Sequence, residues 1–333
     1  LRSEFDTVLL RNAAQRGAEI NEGHTVIEAT HSYRHGAVVT ARDRNGEMVR
    51  CRARFLLDAS GRDAFVASRR KLRDMTPHLR KAAVFSHYEN VPRDEGRAAG
   101  DIVLVVLRDG WFWFIPLPEG RMSVGVVAEG SRLKQSGLPP AELLDQAIRR
   151  CPAAWKRMRE ARRVAEVWSA SDYSYGCREV AGDGYLLLGD AAAFIDPVFS
   201  TGVWLAMSSA EMAADTLHRA LGGPAGGPGN NGRQGDLSPA TFARYEKKVV
   251  HHVATYTRMV SHFYSPGFMD VFLQPSRRYG LKESVVSLLA GLAEPPMAMN
   301  LRLWLFYTIV KLQRRIGVVQ PVPLLGVLEE SNA

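Results

Sequence analysis

The sequence predicts an α/β fold, and three observations carry that prediction. Two short apolar runs lead straight into glycine-containing turns: Phe55-Leu56-Leu57 into Asp58-Ala59-Ser60-Gly61, and Tyr185-Leu186-Leu187-Leu188 into Gly189-Asp190. Between them, residues 80 to 130 alternate β-rich runs with Gly or Pro turns, the pattern of an antiparallel sheet. Beyond residue 239 the apolar residues recur mainly at helical spacing.

Taken in order, Phe5, Val8 and Leu9 repeat at helical spacing and Gly17 supplies a stop, so Leu1 to Gly17 reads as a helix. His24–Ala29, Ala37–Arg42 and Met48–Leu57 read as strands, the last two joined by the hairpin signal Asn45-Gly46. Ala82–Tyr88, Ile102–Leu107, Trp111–Ile115 and Met122–Ala128 supply the antiparallel sheet. Helices follow from Pro139 to Arg150 and from Pro152 to Arg162, with proline where a helix start tolerates it, and Val167–Ser171 reads as a further strand. After the second glycine turn a helix is expected from Gly202 to Leu221. The Gly/Pro/Asn-rich stretch Gly222–Ser238 reads as a flexible surface loop. Pro239–Tyr264, Lys282–Leu292 and Met297–Arg315 read as helices. The expected organisation is thus a sheet domain made of 1–75 and 181–222, an inserted antiparallel domain at 76–180, a loop at 223–238 and a helical region at 239–333.

The 333 residues are an ordinary globular mixture, 46% hydrophobic and 23% charged, with a net charge of +8 that suits an anionic ligand, an acidic protein partner or equally a generic basic surface. No zinc-finger spacing or basic-region heptad is present, so no nucleic-acid partner is expected. Cys51, Cys151 and Cys177 form no CxxC or CxxH pattern, which argues against a disulfide framework and against a metal site. No secretory signal opens the sequence, and its most apolar stretch, Leu303–Val310, is far short of the roughly 20 residues that span a bilayer. A cytoplasmic protein with no membrane contact is expected. The sequence begins at Leu1, directly in helical sequence, which predicts a fragment or a processed chain.

The segment Gly182–Ala214, GDGYLLLGDAAAFIDPVFSTGVWLAMSSAEMAA, carries the most specific pattern. Gly189 permits close backbone approach to a ligand, and Asp190 can accept hydrogen bonds from ribose hydroxyls. Asp196-Pro197 and Ser200-Thr201-Gly202 then open a helix, whose first amides and dipole favour an anion. A pyrophosphate, a reduced flavin ring or a halide would each suit that end.

This run resembles the second FAD-binding motif of the two-dinucleotide-fold flavoproteins, which include aromatic hydroxylases, geranylgeranyl-reductase-like enzymes and flavin-dependent halogenases. The resemblance implies a glutathione-reductase-like FAD domain, here incomplete, with Gly189 and Asp190 near the ribityl chain and Asp196, Pro197 and Gly202 against the isoalloxazine ring. Arg2, Phe5-Asp6 and Leu9 match the family's Arg-x-x-Phe-Asp-x-x-Leu helix, which implies that Arg2 lies near the flavin phosphates. Asp58-Ala59-Ser60-Gly61-Arg62 is similar to the family turn that packs against adenosine, through Asp58 and Gly61. Gly110–Leu117 contains Trp-x-Trp-x-Ile-Pro intact, at Trp111, Trp113, Ile115 and Pro116. That signature resembles flavin-dependent halogenases, where the indoles and the proline form a rigid apolar wall beside the substrate. The halide would sit on backbone amides near Ser200, Thr201 and Gly202.

Two departures refine the resemblance. The residue before Ser-Thr-Gly, a glutamate in tryptophan halogenases, is Phe199 here, as in the phenol and pyrrole enzymes. Neither GxGxxG nor the halogenase lysine is in the sequence, and both are expected upstream of Leu1. The resemblance implies reduced FAD from a separate flavin reductase, oxygen, halide and an aromatic substrate, free or tethered to a carrier protein. A flavin-dependent hydroxylase or reductase of the same superfamily fits the same residues, as does a non-catalytic flavoprotein-like module. His251, His252 and His262 lack acidic or cysteine partners at metal-ligand spacing. Tyr245, Tyr256 and Tyr264 read as core or rim, and Arg314-Arg315 as a solvated helix end.

Overall fold

A computed structural model describes residues 1–107, 110–171, 174–222, 235–274 and 280–322. The expected loop at 223–238 lies outside the described residues apart from its last four.

The chain opens with helix α1 (Arg2–Gln15), then forms an antiparallel sheet from β1 (Thr25–Ser32), β2 (Gly36–Arg42) and β3 (Met48–Ala53). At the Asn45-Gly46 turn the Asp43 carboxylate accepts from the amides of Asn45 and Glu47, both at 2.8 Å. β4 (Leu56–Asp58), α2 (Phe65–Arg69) and β5 (Arg73–Met75) follow. Next come β6 (Lys81–Glu89), β7 (Val103–Val106), β8 (Gly110–Pro116) and β9 (Met122–Glu129). Helices α3 (Gly130–Gln135), α4 (Pro140–Arg150) and α5 (Pro152–Met158) lead to β10 (Arg162–Arg163) and β11 (Trp168–Ser171). The chain continues through β12 (Tyr175–Cys177), β13 (Ala181–Gly182), β14 (Tyr185–Leu187) and β15 (Ala193–Phe194) into α6 (Gly202–Ala220). Helices α7 (Ala243–Phe263), α8 (Phe268–Phe272), α9 (Leu281–Leu289) and α10 (Met297–Ile316) complete it. None of the described helices is long and apolar enough to cross a membrane.

Contacts divide the described residues into two compact units, Leu1–Asn21 with Leu79–Tyr173, and Glu22–His78 with Ser174–Val322. The expected boundaries lay at 75 and 180. The helices beyond residue 239 share a unit with the strand-end turns instead of standing apart.

In the first unit the antiparallel sheet runs β10-β6-β9-β8-β7, with β11 also on β6. Strand alternation sends Phe112, Phe114, Val124 and Val126 to one face, where they pack on Leu144 and Ile148 of α4 and on Ala154 and Met158 of α5. Trp111 and Trp113 alternate with these phenylalanines along β8 and make their ring contacts with each other and with Phe85 of β6. α1 buries none of its residues.

In the second unit β14 pairs parallel to β4, Tyr185 with Leu56 and Leu187 with Asp58. β13 borders β14 on the other side. Leu186 and Leu187 are fully buried, in a core shared with Val66 and Ala67 of α2, Ala213 of α6, and Tyr245 and Val249 of α7.

Four expectations are corrected. Met48–Leu57 is two strands, because the chain turns at Phe55, which packs on Phe242, and Leu56 donates to the carbonyl of Gly184. The helix from Pro152 stops at Met158, because Arg162 and Arg163 pair with Glu89 and Tyr88 as β10. Three short helices, α2, α3 and α8, were not expected. The helix expected from Pro239 opens as a 3-10 turn, with α7 starting at Ala243.

Candidate functional site

The parallel pairing of β4 and β14 delivers the two glycine turns side by side. Leu188 donates its amide to the Asp58 carbonyl at 2.9 Å, so the chains leave the sheet together at the carboxyl ends of the strands. In open α/β sheets that edge is where ligands bind. Tyr175 of β12 spans the two turns: its hydroxyl lies 2.5 Å from the Asp190 carbonyl and 3.5 Å from that of Arg62. Burial pushes the Tyr175 phenol up to about 12, with the Arg73 guanidinium 3.9 Å over its ring opposing the shift.

Asp58 is buried, and its carboxylate serves its own turn. One oxygen accepts from Ser60 at 3.0 Å and the other from Val66 at 2.8 Å. Gly61, at φ +65°, has no atom within 4 Å of where a Cβ would sit. Gly189, at φ +50°, is different. An added Cβ would lie 2.9 Å from that of Ala206, and its amide donates to Ser209 Oγ at 2.9 Å. Its glycine therefore admits α6, and its N–H is already used. Asp190 is half-buried in the turn that follows.

From Ala193 the chain enters the loop that precedes α6. Asp196 is 1% exposed. One carboxylate oxygen accepts from the amide of Val198 at 3.1 Å and the other from the Tyr264 hydroxyl at 2.8 Å. Pro197–Phe199 forms a 3-10 turn, and Ser200 takes left-handed geometry at φ +54°, a conformation that costs a non-glycine residue energy. Phe199 is half-buried edge-on against Phe263, 5.5 Å between centroids. Thr201 is buried, while Ser200 and Gly202 are exposed, and nothing lies within 4 Å of a Cβ position on Gly202. α6 thus opens with its first amides at a solvent-facing end, where the helix dipole favours an anion.

Helix α7 supports this segment from behind. Tyr245 donates to the Leu187 carbonyl at 2.6 Å, just before the Gly189 turn, and Tyr264, the cap of α7, holds Asp196. Glu246 accepts from the amides of Val180, at 2.7 Å, and Ala181. These tyrosines read as core or rim in the sequence. Their spacing along the helix identified the buried side but not the acceptors.

Arg2, Trp111, Trp113 and Pro116 belong to the other compact unit. Arg2 is exposed and pairs with Asp6 at 3.1 Å. Trp111 is buried beside Trp113, 5.7 Å between centroids. The Trp113 indole N–H donates to Ser123 at 3.1 Å, and its ring lies over Gly125, where a Cβ would come within 2.3 Å. Phe85 joins Trp113 to Trp168, and His87 meets Trp168 edge-on. Trp168 and His87 went unremarked in the sequence; their alternation with buried neighbours on short strands was the available signal. Among the described residues no group of His, Cys, Asp and Glu side chains is arranged to hold a metal ion.

Paired strand-end turns followed by a glycine-opened helix define an α/β protein whose parallel strands end in adjoining glycine turns. The family profile described as Tryptophan halogenase matches residues 2–266, and the chain belongs to that family. It is 27% identical over 296 residues to a 1H-pyrrole-2-carbonyl-[peptidyl-carrier protein] chlorinase of Pseudomonas fluorescens, covering 87% of this chain and 63% of that protein. It is 30% identical over 268 residues to a tryptophan 2-halogenase of Chondromyces crocatus, covering 79% of this chain and 49% of the relative. The chain therefore spans about half to two thirds of the length of these relatives. Its fold matches that of the flavin-dependent brominase Bmp2 with a TM-score of 0.79 and 24% identity, over 94% of this chain and 75% of the brominase.

Proposed function

We propose that the chain forms part of an FAD-dependent halogenase acting on an electron-rich aromatic ring, a phenol or a pyrrole. The observation that carries this reading is the juxtaposition of the Asp58–Gly61 and Gly189–Asp190 turns at the ends of paired parallel strands. The residues present fit FAD. Both turns leave the sheet at one edge, and the opening of α6 leaves clear space at Gly202. In this reading the β4–β14 pair belongs to a glutathione-reductase-like domain. The Asp58–Gly61 turn would hold the adenosine end, Asp190 the ribityl chain, and the Asp196–Gly202 loop the ring. Reduced FAD with oxygen supplies the oxidising power that converts halide into an electrophilic halogen.

The chain's own residues do the rest. Amides at Thr201 and Gly202, at the positive end of α6, bind the halide, and the exposed Ser200 sits beside them. Asp196 does not contact the halide: its charge is spent inside the loop, which it holds in shape. Phe199, anchored on Phe263, puts a neutral apolar group where tryptophan-acting members carry an acid, so free tryptophan is not the substrate. Trp113, half-buried and backed by the buried Trp111, offers an indole surface to an aromatic ring, with Pro116 stiffening the end of β8. A flavin reductase supplies the reduced cofactor. The substrate form named for the Pseudomonas relative, an acyl group on a carrier protein, is the form proposed here.

The test is to supply full-length protein with a flavin reductase, FAD, oxygen, bromide or chloride, and phenol or pyrrole-2-carbonyl carrier protein. Products carrying the halogen isotope pattern, absent without halide, are expected. A product that gains a hydroxyl and no halogen would assign the chain to the hydroxylases instead.

A further inference from the structure

A cavity of about 370 Å³ opens in the second unit between the carboxyl-terminal halves of α7 and α10. That volume is in the range of small-molecule sites. Arg258, Ser261, His262 and Ser265 line it from α7 and the turn beyond, and Lys311 and Arg314 from α10. Among the described residues, no carboxylate lies within ion-pairing distance of Arg258, Lys311 or Arg314. Two helix ends contribute partial negative charge here, about −0.5 each. Three full positive charges exceed that, so the cavity is left with a net field that attracts an anion.

The cavity has a defined wall. Tyr307 is buried and stacks on His262 with 4.4 Å between centroids, while the Arg258 guanidinium lies 4.4 Å over the Tyr307 ring. The ring fixes Arg258 by a cation–π contact while its N–H donors remain available to a planar or tetrahedral anion. Burial, then the charges of Arg258 and Lys311, hold the His262 imidazole down to about 4, so it is neutral near pH 7 and can offer one N–H. Two guanidinium groups and an ammonium are a donor set for a phosphate group, whose oxygens accept several hydrogen bonds at once, while the Ser261 and Ser265 hydroxyls already donate to the carbonyls of Thr257 and His262.

We propose that this cavity receives a phosphate ester, borne either by the aromatic substrate or by the arm that presents it. The inference rests on the reading of an aromatic substrate brought to this chain. A substrate thioester on a carrier protein hangs from a phosphodiester-linked pantetheine arm, so its phosphate would be gripped here while the acyl group reaches onward. An aryl phosphate would place the same group directly.

The experiment is calorimetric titration of full-length protein, at low salt and without halide or reduced flavin, with 4′-phosphopantetheine, pantetheine, phenyl phosphate and inorganic phosphate. At least tenfold tighter binding of one ester than of pantetheine and inorganic phosphate is expected. Arg258→Gln with Lys311→Gln should abolish that preference, and Lys311→Gln alone should weaken it severalfold. These cations are exposed, and unchanged melting temperatures will confirm folding. Preference for 4′-phosphopantetheine assigns the ester to the arm, and preference for phenyl phosphate assigns it to the substrate. Equal binding of pantetheine, equal binding of inorganic phosphate, or ester binding indifferent to the substitutions overturns the proposal. Binding is read without turnover, so these outcomes are separate from the halogenation test.

Discussion

The Tyr264 hydroxyl donates to the buried Asp196 carboxylate at 2.8 Å, tying the end of α7 to the loop that precedes α6. Asp196 keeps a second donor in Val198. Tyr264→Phe removes this hydroxyl donor from a carboxylate only 1% exposed, which costs about 1–3 kcal/mol. Calorimetry should show a lower melting temperature. Flavin titration should show weaker binding than in Tyr256→Phe, whose lost acceptor is the Leu288 carbonyl away from the loop.

Gly189→Ala should destabilise the fold for a reason that lies in α6. The new methyl would meet the Ala206 Cβ at 2.9 Å in a left-handed residue. A loss of about 1–3 kcal/mol is expected, from overpacking and backbone strain together. Adding Ala206→Gly should restore the steric part and leave the strain. Chemical denaturation of the two variants reads the difference.

Gly125→Ala tests whether the indole surface is set by β9. The added Cβ would fall 2.3 Å from Trp113 and 2.6 Å from Phe85, so Trp113 must move. Altered tryptophan fluorescence and a fall of at least tenfold in halogenation are expected, with the protein still folded.

Phe112 and Trp113 are neighbours with opposite consequences. Phe112 is fully buried against the helices, and Phe112→Ala should cost about 3–5 kcal/mol. Trp113 is only half-buried, so Trp113→Ala should cost less stability and more activity. Melting temperature and turnover of the two variants should rank in opposite order.

His262 predicts an acid limb in stability. Its pKa is about 4 when folded, lowered by burial and then by Arg258 and Lys311, against an ordinary value of 6.5. The unfolded chain takes up that proton first as pH falls, so this contribution is full above 6.5 and is lost progressively toward 4. His262→Gln should flatten melting temperature against pH in that window. An unchanged slope would place the acid sensitivity elsewhere, with His252, which burial also holds down.

The strand-end turns are legible in the sequence because an apolar run ending in glycine is a local signal. So is the alternation of β8, which by its period alone puts Phe112 and Trp113 on opposite faces. The donor to Asp196 is not legible. Tyr264 lies 68 residues along the chain, and nothing local distinguishes a tyrosine that reaches a carboxylate from one that fills a core. Gly189 shows a subtler limit. Approach of a ligand and approach of a helix both require glycine, so composition cannot separate them, and only the position of Ala206 does. The turn-capping hydrogen bonds of Asp58 and Asp196 are equally invisible, because a carboxylate that caps its own turn looks the same in sequence as one that faces a ligand.

The pairing of Leu187 with Asp58 joins strands about 130 residues apart, a separation that makes parallel pairing slow to find. The intervening unit shortens that search. Its β11 returns antiparallel along β6, with Ser171 opposite Ala82, so once it is folded its entry and exit are neighbours. β4 and β14 then meet across a shorter tether, and the loop-closure entropy is borne by the antiparallel unit. Folding should therefore proceed from the inside of the sequence outward, with the β4–β14 pair and its two turns the last to form and the first to open.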